Sequence, residues 1–304
     1  MFIVNHRRIF FVISLLLVLG SLGAIWRLGL NFGTDFTGGA IAEVNYGTLD
    51  GATATQVPSV EVVRQAVNAL DFGDAVVQAA GPGAYLLRLP TLDEAEHQTL
   101  LATLDELTPP GGTFTETRFS SVGPALGAEL ARKGIIAIVI VVFLILIYIA
   151  FVFRQVSRPV SSWIYGLVVI IMMFHDVLIP TGIFALLGHY YGVSIDALFL
   201  TAFLTILGLS VNDKIVALDR IRENLRRHGG ESFPAVVGRS LRETLTRSVN
   251  TSVTIIITLL AVYFLGSETT RWFALAMALG MLVATYSSIF VAAPLLVSWA
   301  GRRR

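Results

Sequence analysis

Six separate apolar stretches, each of 18 residues or more, leave this chain a narrow choice of architecture: 9–26, 134–153, 161–187, 193–218, 248–265 and 272–299. A helix rises about 1.5 Å per residue, so roughly 20 apolar residues cross a hydrocarbon core about 30 Å thick. A segment inside that core must satisfy its own backbone hydrogen bonds, which a helix does and an open strand does not. The chain is 55% hydrophobic and 14% charged, too apolar for an ordinary soluble domain. The expected fold class is an α-helical membrane protein with six transmembrane helices. The first stretch begins basic, as a signal peptide does, but its 18 residues outrun a signal core of roughly 7–15, so it reads as a retained helix. Cysteine is absent, which removes disulfides and thiolate metal sites.

The segment 27–133 is polar, with thirteen acidic residues against six basic and a net charge of −7. Runs of strand length at 39–46, 74–80, 84–89 and 113–119 alternate with two helical patterns. The first has Val60, Val63, Val67 and Leu70 on one face behind Pro58 and Ser59; the second has Leu100, Leu101, Leu104 and Leu107 behind Thr91-Leu92-Asp93-Glu94, a capping-box pattern. The order strand, helix, strand, strand, helix, strand predicts an α+β ferredoxin-like domain. His97 is read as a solvated side chain on a polar helix face, and no catalytic constellation accompanies it. The expected division is 1–26, N-terminus and first span; 27–133, the α+β domain; and 134–304, five further spans.

Basic residues mark the cytoplasmic side. His6-Arg7-Arg8, Arg154, Arg158, the Arg-rich stretch 220–247 and the tail Arg302-Arg303-Arg304 place both termini inside and the acidic domain outside. Arg132 and Lys133 sit at the outer end of the second span, against that trend. The stretch 212–248 carries a net charge of +3, which suits attraction to an anionic bilayer surface or an acidic partner.

Charge inside a span is costly unless a partner, water or a proton relieves it, so it is read first as function. Asn212, Asp213 and Lys214 interrupt the fourth span, and Asp213 is favoured as a proton- or ion-handling group. Arg247 lies at similar depth on the fifth span; it either neighbours Asp213 or reaches to the surface. His175-Asp176 interrupts the third span and belongs either to bundle packing or to a proton or water path. Gly208 and Ser210, then Ser248, Asn250, Thr251, Ser252 and Thr254, then Gly280 and Thr285-Tyr286-Ser287-Ser288, predict small and polar faces meeting across the bundle. Asp219-Arg220-Ile221-Arg222-Glu223-Asn224 continues as a charged amphipathic helix. No metal-ligand spacing is present.

Taken together the motifs resemble one family. Asp35-Phe36-Thr37-Gly38-Gly39 after the first span, Val122-Gly123-Pro124 before the second, and His175-Asp176-Val177 in the third carry the likeness. So do Gly208-Leu209-Ser210-Val211-Asn212-Asp213 with the Asp219–Asn224 block, Arg247 with Thr251-Ser252, and Thr285-Tyr286-Ser287-Ser288-Ile289. They are similar to the SecF subunits of the bacterial SecDF protein-export complex. The resemblance implies membership of the resistance-nodulation-division superfamily, a cytoplasmic (inner) membrane location, and use of the proton-motive force in late preprotein export. It implies SecD and the SecYEG translocon as partners, with YajC and YidC as further companions and a translocating preprotein as cargo. It implies no enzyme activity, cofactor, metal or nucleic-acid partner. Residue by residue it makes Asp213 and Arg247 part of a proton-handling group, together with a carboxylate on SecD. Asn212, His175 and Asp176 join them as proton-coupling candidates. Asp35, Gly38, Gly39, Gly208, Asp219 and Arg220 are the structural motif positions. The chain departs from the family pattern at Leu209, Lys214 and Ile255, and Lys214 matters most because it adds a cation beside Asp213. Competing readings are a proton-coupled exporter of small molecules or lipids, and a non-transporting assembly subunit.

Overall fold

A computed structural model describes residues 2–48, 57–73, 75–152, 161–227 and 230–300. Asp74, Arg154, Arg158 and the Arg302–Arg304 tail, used above for strand and orientation, lie outside them. In chain order the elements are α1 (Phe2–Asn5), α2 (Arg7–Leu28), α3 (Thr34–Thr37), β1 (Gly39–Thr48), α4 (Val60–Asn68), β2 (Val76–Gly81), β3 (Ala84–Leu89) and α5 (Glu94–Asp105). There follow β4 (Gly112–Val122), α6 (Pro124–Val152), α7 (Ser162–Tyr191), α8 (Ala197–Arg227), α9 (Phe233–Leu265), α10 (Glu268–Tyr286), a π-helical turn (Ser287–Ala292) and α11 (Ala293–Ala300). Two compact units result: the α+β unit Phe32–Gly134, and a helical unit formed by the rest.

In the helical unit six helices are long and apolar enough to span a bilayer: α2, α6, α7, α8, α9, and α10 with its continuation. All six expected spans are present. The chain is a multi-pass membrane protein. Buried α7 packs against α2, α8 and α10, while α10 also packs against α8 and α9. Small residues permit the closest approaches, as expected where van der Waals packing replaces hydrophobic drive. A Cβ on Gly182 would fall 2.4 Å from Cβ of Ser21, and one on Gly280 would fall 2.3 Å from Cδ1 of Ile206. Leu15, Leu16, Phe143, Ile147 and Ile257 remain exposed, on surfaces that lipid can solvate.

α8 and α9 run well past their apolar windows. Arg220 pairs with Glu243 at 2.6 Å and with Glu223 at 2.5 Å, and Asp219 pairs with Arg222 at 2.9 Å. Buried Asn224 donates to Ser240 at 3.0 Å and to Glu243 at 2.8 Å. The charged block is therefore strapped to the start of α9.

The α+β unit has the antiparallel strand order β2-β3-β1-β4, with α4 and α5 supplying helical cover. This is the ferredoxin-like arrangement expected. Ala40, Ala42, Val44 and Tyr46 alternate inward on β1 against Val63 and Val67 of α4 and Leu100 and Leu104 of α5. Ser59 caps α4, its side chain accepting from the Val62 N–H. Two details differ from expectation. The capping box on α5 is built by Asp93 and Glu96, two residues later than predicted, because Thr91 instead donates to the Val122 carbonyl at 3.2 Å. His97 is not solvated: it is 8% exposed, stacks on Phe119 with centroids 3.6 Å apart, and bonds Glu116 at 2.8 Å.

The Asp35–Gly39 motif closes this unit. Asp35 lies in the first turn of α3, and the next two glycines turn the chain into β1 with φ of 78° and 124°. A Cβ on Gly38 would meet Cα of Pro124 at 2.7 Å, and one on Gly39 would meet the Leu89 carbonyl at 2.8 Å. Both the backbone region and the space require glycine. Gly39→Ala is expected to destabilise the chain by about 1–3 kcal/mol, read by thermal melting.

Two phenols inside the unit give it a pH signature. The Tyr46 hydroxyl donates to the Leu104 carbonyl at 2.8 Å, and that of Tyr85 donates to the Pro58 carbonyl. Burial pushes both phenols above their usual value near 10, Tyr46 the further, with Tyr85 and Asp105 adding to its rise. The folded state therefore favours the protonated phenols, and their contribution is complete below the ordinary phenol value and lost as pH climbs past it. Alkaline unfolding of the full chain should accompany late tyrosinate absorbance. Tyr46→Phe should cost about 1 kcal/mol at neutral pH and make the alkaline transition shallower.

Candidate functional site within the helix bundle

Two polar clusters sit inside the bundle, on different sides of α8. Residues 213 and 214 are consecutive, and at 3.6 residues per turn they point about 100° apart. Lys214 faces α7 and Asp213 faces α9.

The first cluster centres on Asp176, fully buried on α7. Its Oδ2 accepts from Lys214 Nζ at 2.5 Å and from Ser210 Oγ at 2.7 Å, and its Oδ1 bonds His175 Nδ1 at 2.9 Å. Lys214, also fully buried, donates as well to Ser210 Oγ at 2.8 Å and to the Ser210 carbonyl at 3.3 Å. The other ring nitrogen of His175 meets Ser14 Oγ of α2 at 3.1 Å. Pro180, lacking an N–H, cannot donate to the Asp176 carbonyl four residues earlier, so the helix is locally loosened beside the cluster. Such a pair stays intact only when both charges and their remaining bonding capacity are met. Removing one partner of a buried pair costs about 3–5 kcal/mol.

The second cluster is sparser. Asp213 Oδ1 accepts from Ser248 Oγ at 2.7 Å, while Oδ2 is buried with no hydrogen-bond partner. The polar line continues through buried Ser252, which donates to the Ser248 carbonyl at 2.8 Å and meets Thr285 Oγ1 at 2.5 Å. Tyr286 then donates to the Phe10 carbonyl at 3.0 Å, and Ser287 and Ser288 are buried in the π-helical turn. This arrangement offers a carboxylate with one oxygen open to a proton, next to hydroxyls that can accept or donate.

Arg247 is exposed and makes no ion pair among the described residues, so Asp213 and Arg247 do not meet within this chain. Asn212 is also exposed. The polar residues divide rather than all meeting inside: Ser210, Ser248, Ser252 and Thr285 turn inward, while Asn250, Thr251 and Thr254 are exposed. Gly208 has open space around it, and the close helix contact expected there is made instead by Gly280. Thr201, Thr205, Gly208 and Asn212 on α8, and Arg247, Thr251, Thr254 and Thr258 on α9, recur at spacings of three and four and form exposed polar edges. Lys214 as the partner of Asp176 was missed; the available signal was that a lysine within an apolar span requires an anion. No group of three or more His, Cys, Asp or Glu that could hold a metal exists among the described residues.

Comparison with known proteins agrees with this architecture. Residues 103–302 match the family model for the C-terminal part of the protein export membrane proteins SecD and SecF. The protein translocase subunit SecF of Thermobaculum terrenum is 42% identical over 99% of this chain and 94% of its own length. The SecF of Anaerolinea thermophila is 37% identical over 98% of this chain and 93% of its own. The crystal structure of SecDF from Thermus thermophilus, a translocon-associated membrane protein, superposes with a TM-score of 0.82 at 32% identity, covering 99% of this chain. This chain spans 38% of that longer one. With a ferredoxin-like unit, six spans and relatives matched nearly end to end, the chain belongs to the SecF family of protein translocase subunits.

Proposed function

We propose that this chain, a Sec protein translocation subunit, pairs with SecD and couples proton entry at Asp213 to a late step of preprotein export. The observation that carries the proposal is the half-satisfied Asp213: one oxygen holds Ser248 and the other is buried and open. An ionised carboxylate there is costly, and uptake of a proton relieves that cost. The exposed polar edges of α8 and α9 are poor surfaces for lipid and good ones for a second helix bundle carrying a carboxylate. SecD docks there, next to Arg247 and Asn212, so the proton-handling group is completed between chains. His175 and Asp176 brace α8 from the α7 side.

The acidic α+β unit lies outside the cytoplasmic membrane and the basic ends of α8 and α9 lie inside, following the charge bias. One charge crossing about 100 mV releases roughly 2.3 kcal/mol, enough to bias a motion of the outer domain that holds an emerging chain. SecYEG is the translocon served, with YajC and YidC as accessory companions. The chain acts without a cofactor and catalyses no covalent chemistry.

In membrane vesicles with ATP removed midway, Asp213→Asn at equal complex levels is expected to lose the gradient-driven phase of translocation, while its own stability changes by less than about 1 kcal/mol. An unchanged rate would favour the non-transporting assembly subunit. Gly208→Leu, which enters open space in this chain, is expected to leave accumulation intact and sharply reduce co-purification with SecD. Undiminished co-purification would place the partner elsewhere.

A further inference from the structure

Lys214 departs from the family pattern, and its surroundings give it a specific task that rests on the proton-coupling reading of Asp213. Asp176 and Lys214 are both fully buried, and their bonds are complete in a way those of Asp213 are not. Both carboxylate oxygens of Asp176 are taken, one by His175 and the other by Lys214 and Ser210. The three N–H groups of the ammonium match three acceptors: Asp176 Oδ2, Ser210 Oγ and the Ser210 carbonyl. A proton arriving on Asp176 would displace one of its donors and leave the ammonium buried without its anion. Asp213 has the opposite character, with one bond and one unoccupied buried oxygen.

We propose that Lys214 is a positioning residue that permanently neutralises Asp176, withdrawing that carboxylate from proton exchange and fixing the α7–α8 seam so that Asp213 stays turned toward Ser248. Two aspartates would otherwise compete for protons inside one bundle. The groups around Asp176 fit this role. His175 on the same helix and Lys214 on α8 are the titratable groups bonded to it. α2 brings a hydroxyl, Ser14, to the far side of His175. At the end of α10, Tyr286 is engaged with the Phe10 carbonyl. Lys214 and Asp213 share a helix turn but no hydrogen bond, so the link between them is the orientation of α8.

Infrared difference spectra of the full chain with its SecD partner in membranes, taken across neutral pH, read protonated carboxyls through the C=O stretch. The wild type is expected to show no such band that Asp176→Asn removes. Lys214→Met is expected to gain one carboxyl band, and adding Asp176→Asn to it abolishes that band. A wild-type band assigned to Asp176, or no new band in Lys214→Met, overturns the proposal. Thermal melting supplies a second reading: the double variant Asp176→Asn/Lys214→Met should melt above Lys214→Met alone, and if the single variant fails to accumulate, the double should restore accumulation. A double variant no better than the single overturns the neutralising role. Neither readout requires export, so a wild type lacking a gradient-driven phase would end the export reading and leave the clasp standing.

Discussion

Charge in a hydrocarbon layer has to be answered, and the way this chain answers it decides which face of each central helix turns inward. The buried carboxylate of Asp176 is met by Lys214, Ser210 and His175, and His175 is met in turn by Ser14, so one polar knot ties α2, α7 and α8 together. Once Lys214 faces α7, helical geometry turns Asp213 toward α9 and leaves Thr201, Thr205, Gly208 and Asn212 on the open side. Small residues allow close packing beside it: Gly182 of α7 lies against Ser21 of α2, and Gly280 of α10 against Ile206 of α8. The inward cluster and the outward polar edge are two results of one rotation of α8.

The α+β unit follows the rules of water. Its core is an alternating strand face covered by two amphipathic helices, and Tyr46, Tyr85 and His97 each find a hydrogen-bond partner in it, His97 with Glu116. The glycine pair at Gly38 and Gly39 carries the chain from α3 into the central strand where no side chain fits. The stretch reads in sequence as a structural motif, and the identity of its two glycines is dictated by backbone angle and by the nearness of Pro124 and Leu89.

Apolar length alone located the six spans, and alternation with two amphipathic patterns anticipated the four strands and two helices between the first pair. Those features are local, set within about 20 residues of sequence, and so they were legible. Contacts between distant segments were less so. His97 read as exposed because its helix neighbours are polar, whereas Phe119 and Glu116 from β4 cover it. Lys214 read as a companion of Asp213 because the two are adjacent, whereas its partner is 38 residues away on another helix. Arg247 could be placed at the depth of Asp213, but depth does not fix azimuth: Asp213 bonds Ser248, while Arg247 is exposed and forms no ion pair with it. The charged block after Asp213 was recognisable as a helix, while its strapping to Ser240 and Glu243 depended on how far α9 extends below its apolar window.

The π-helical turn at Ser287–Ala292 has a consequence for how the last span could have arisen. A π turn is an α-helix holding one additional residue, with hydrogen bonds reaching five positions back instead of four. Excising one residue between Ser287 and Ala292 would let the helix close into regular α form while α10 and α11 kept their phases on either side. Elsewhere in a packed span, the same deletion would rotate every following side chain by about 100° and undo the core. The turn that holds buried Ser287 and Ser288 is thus a point where one residue could be lost while the register on either side stays fixed.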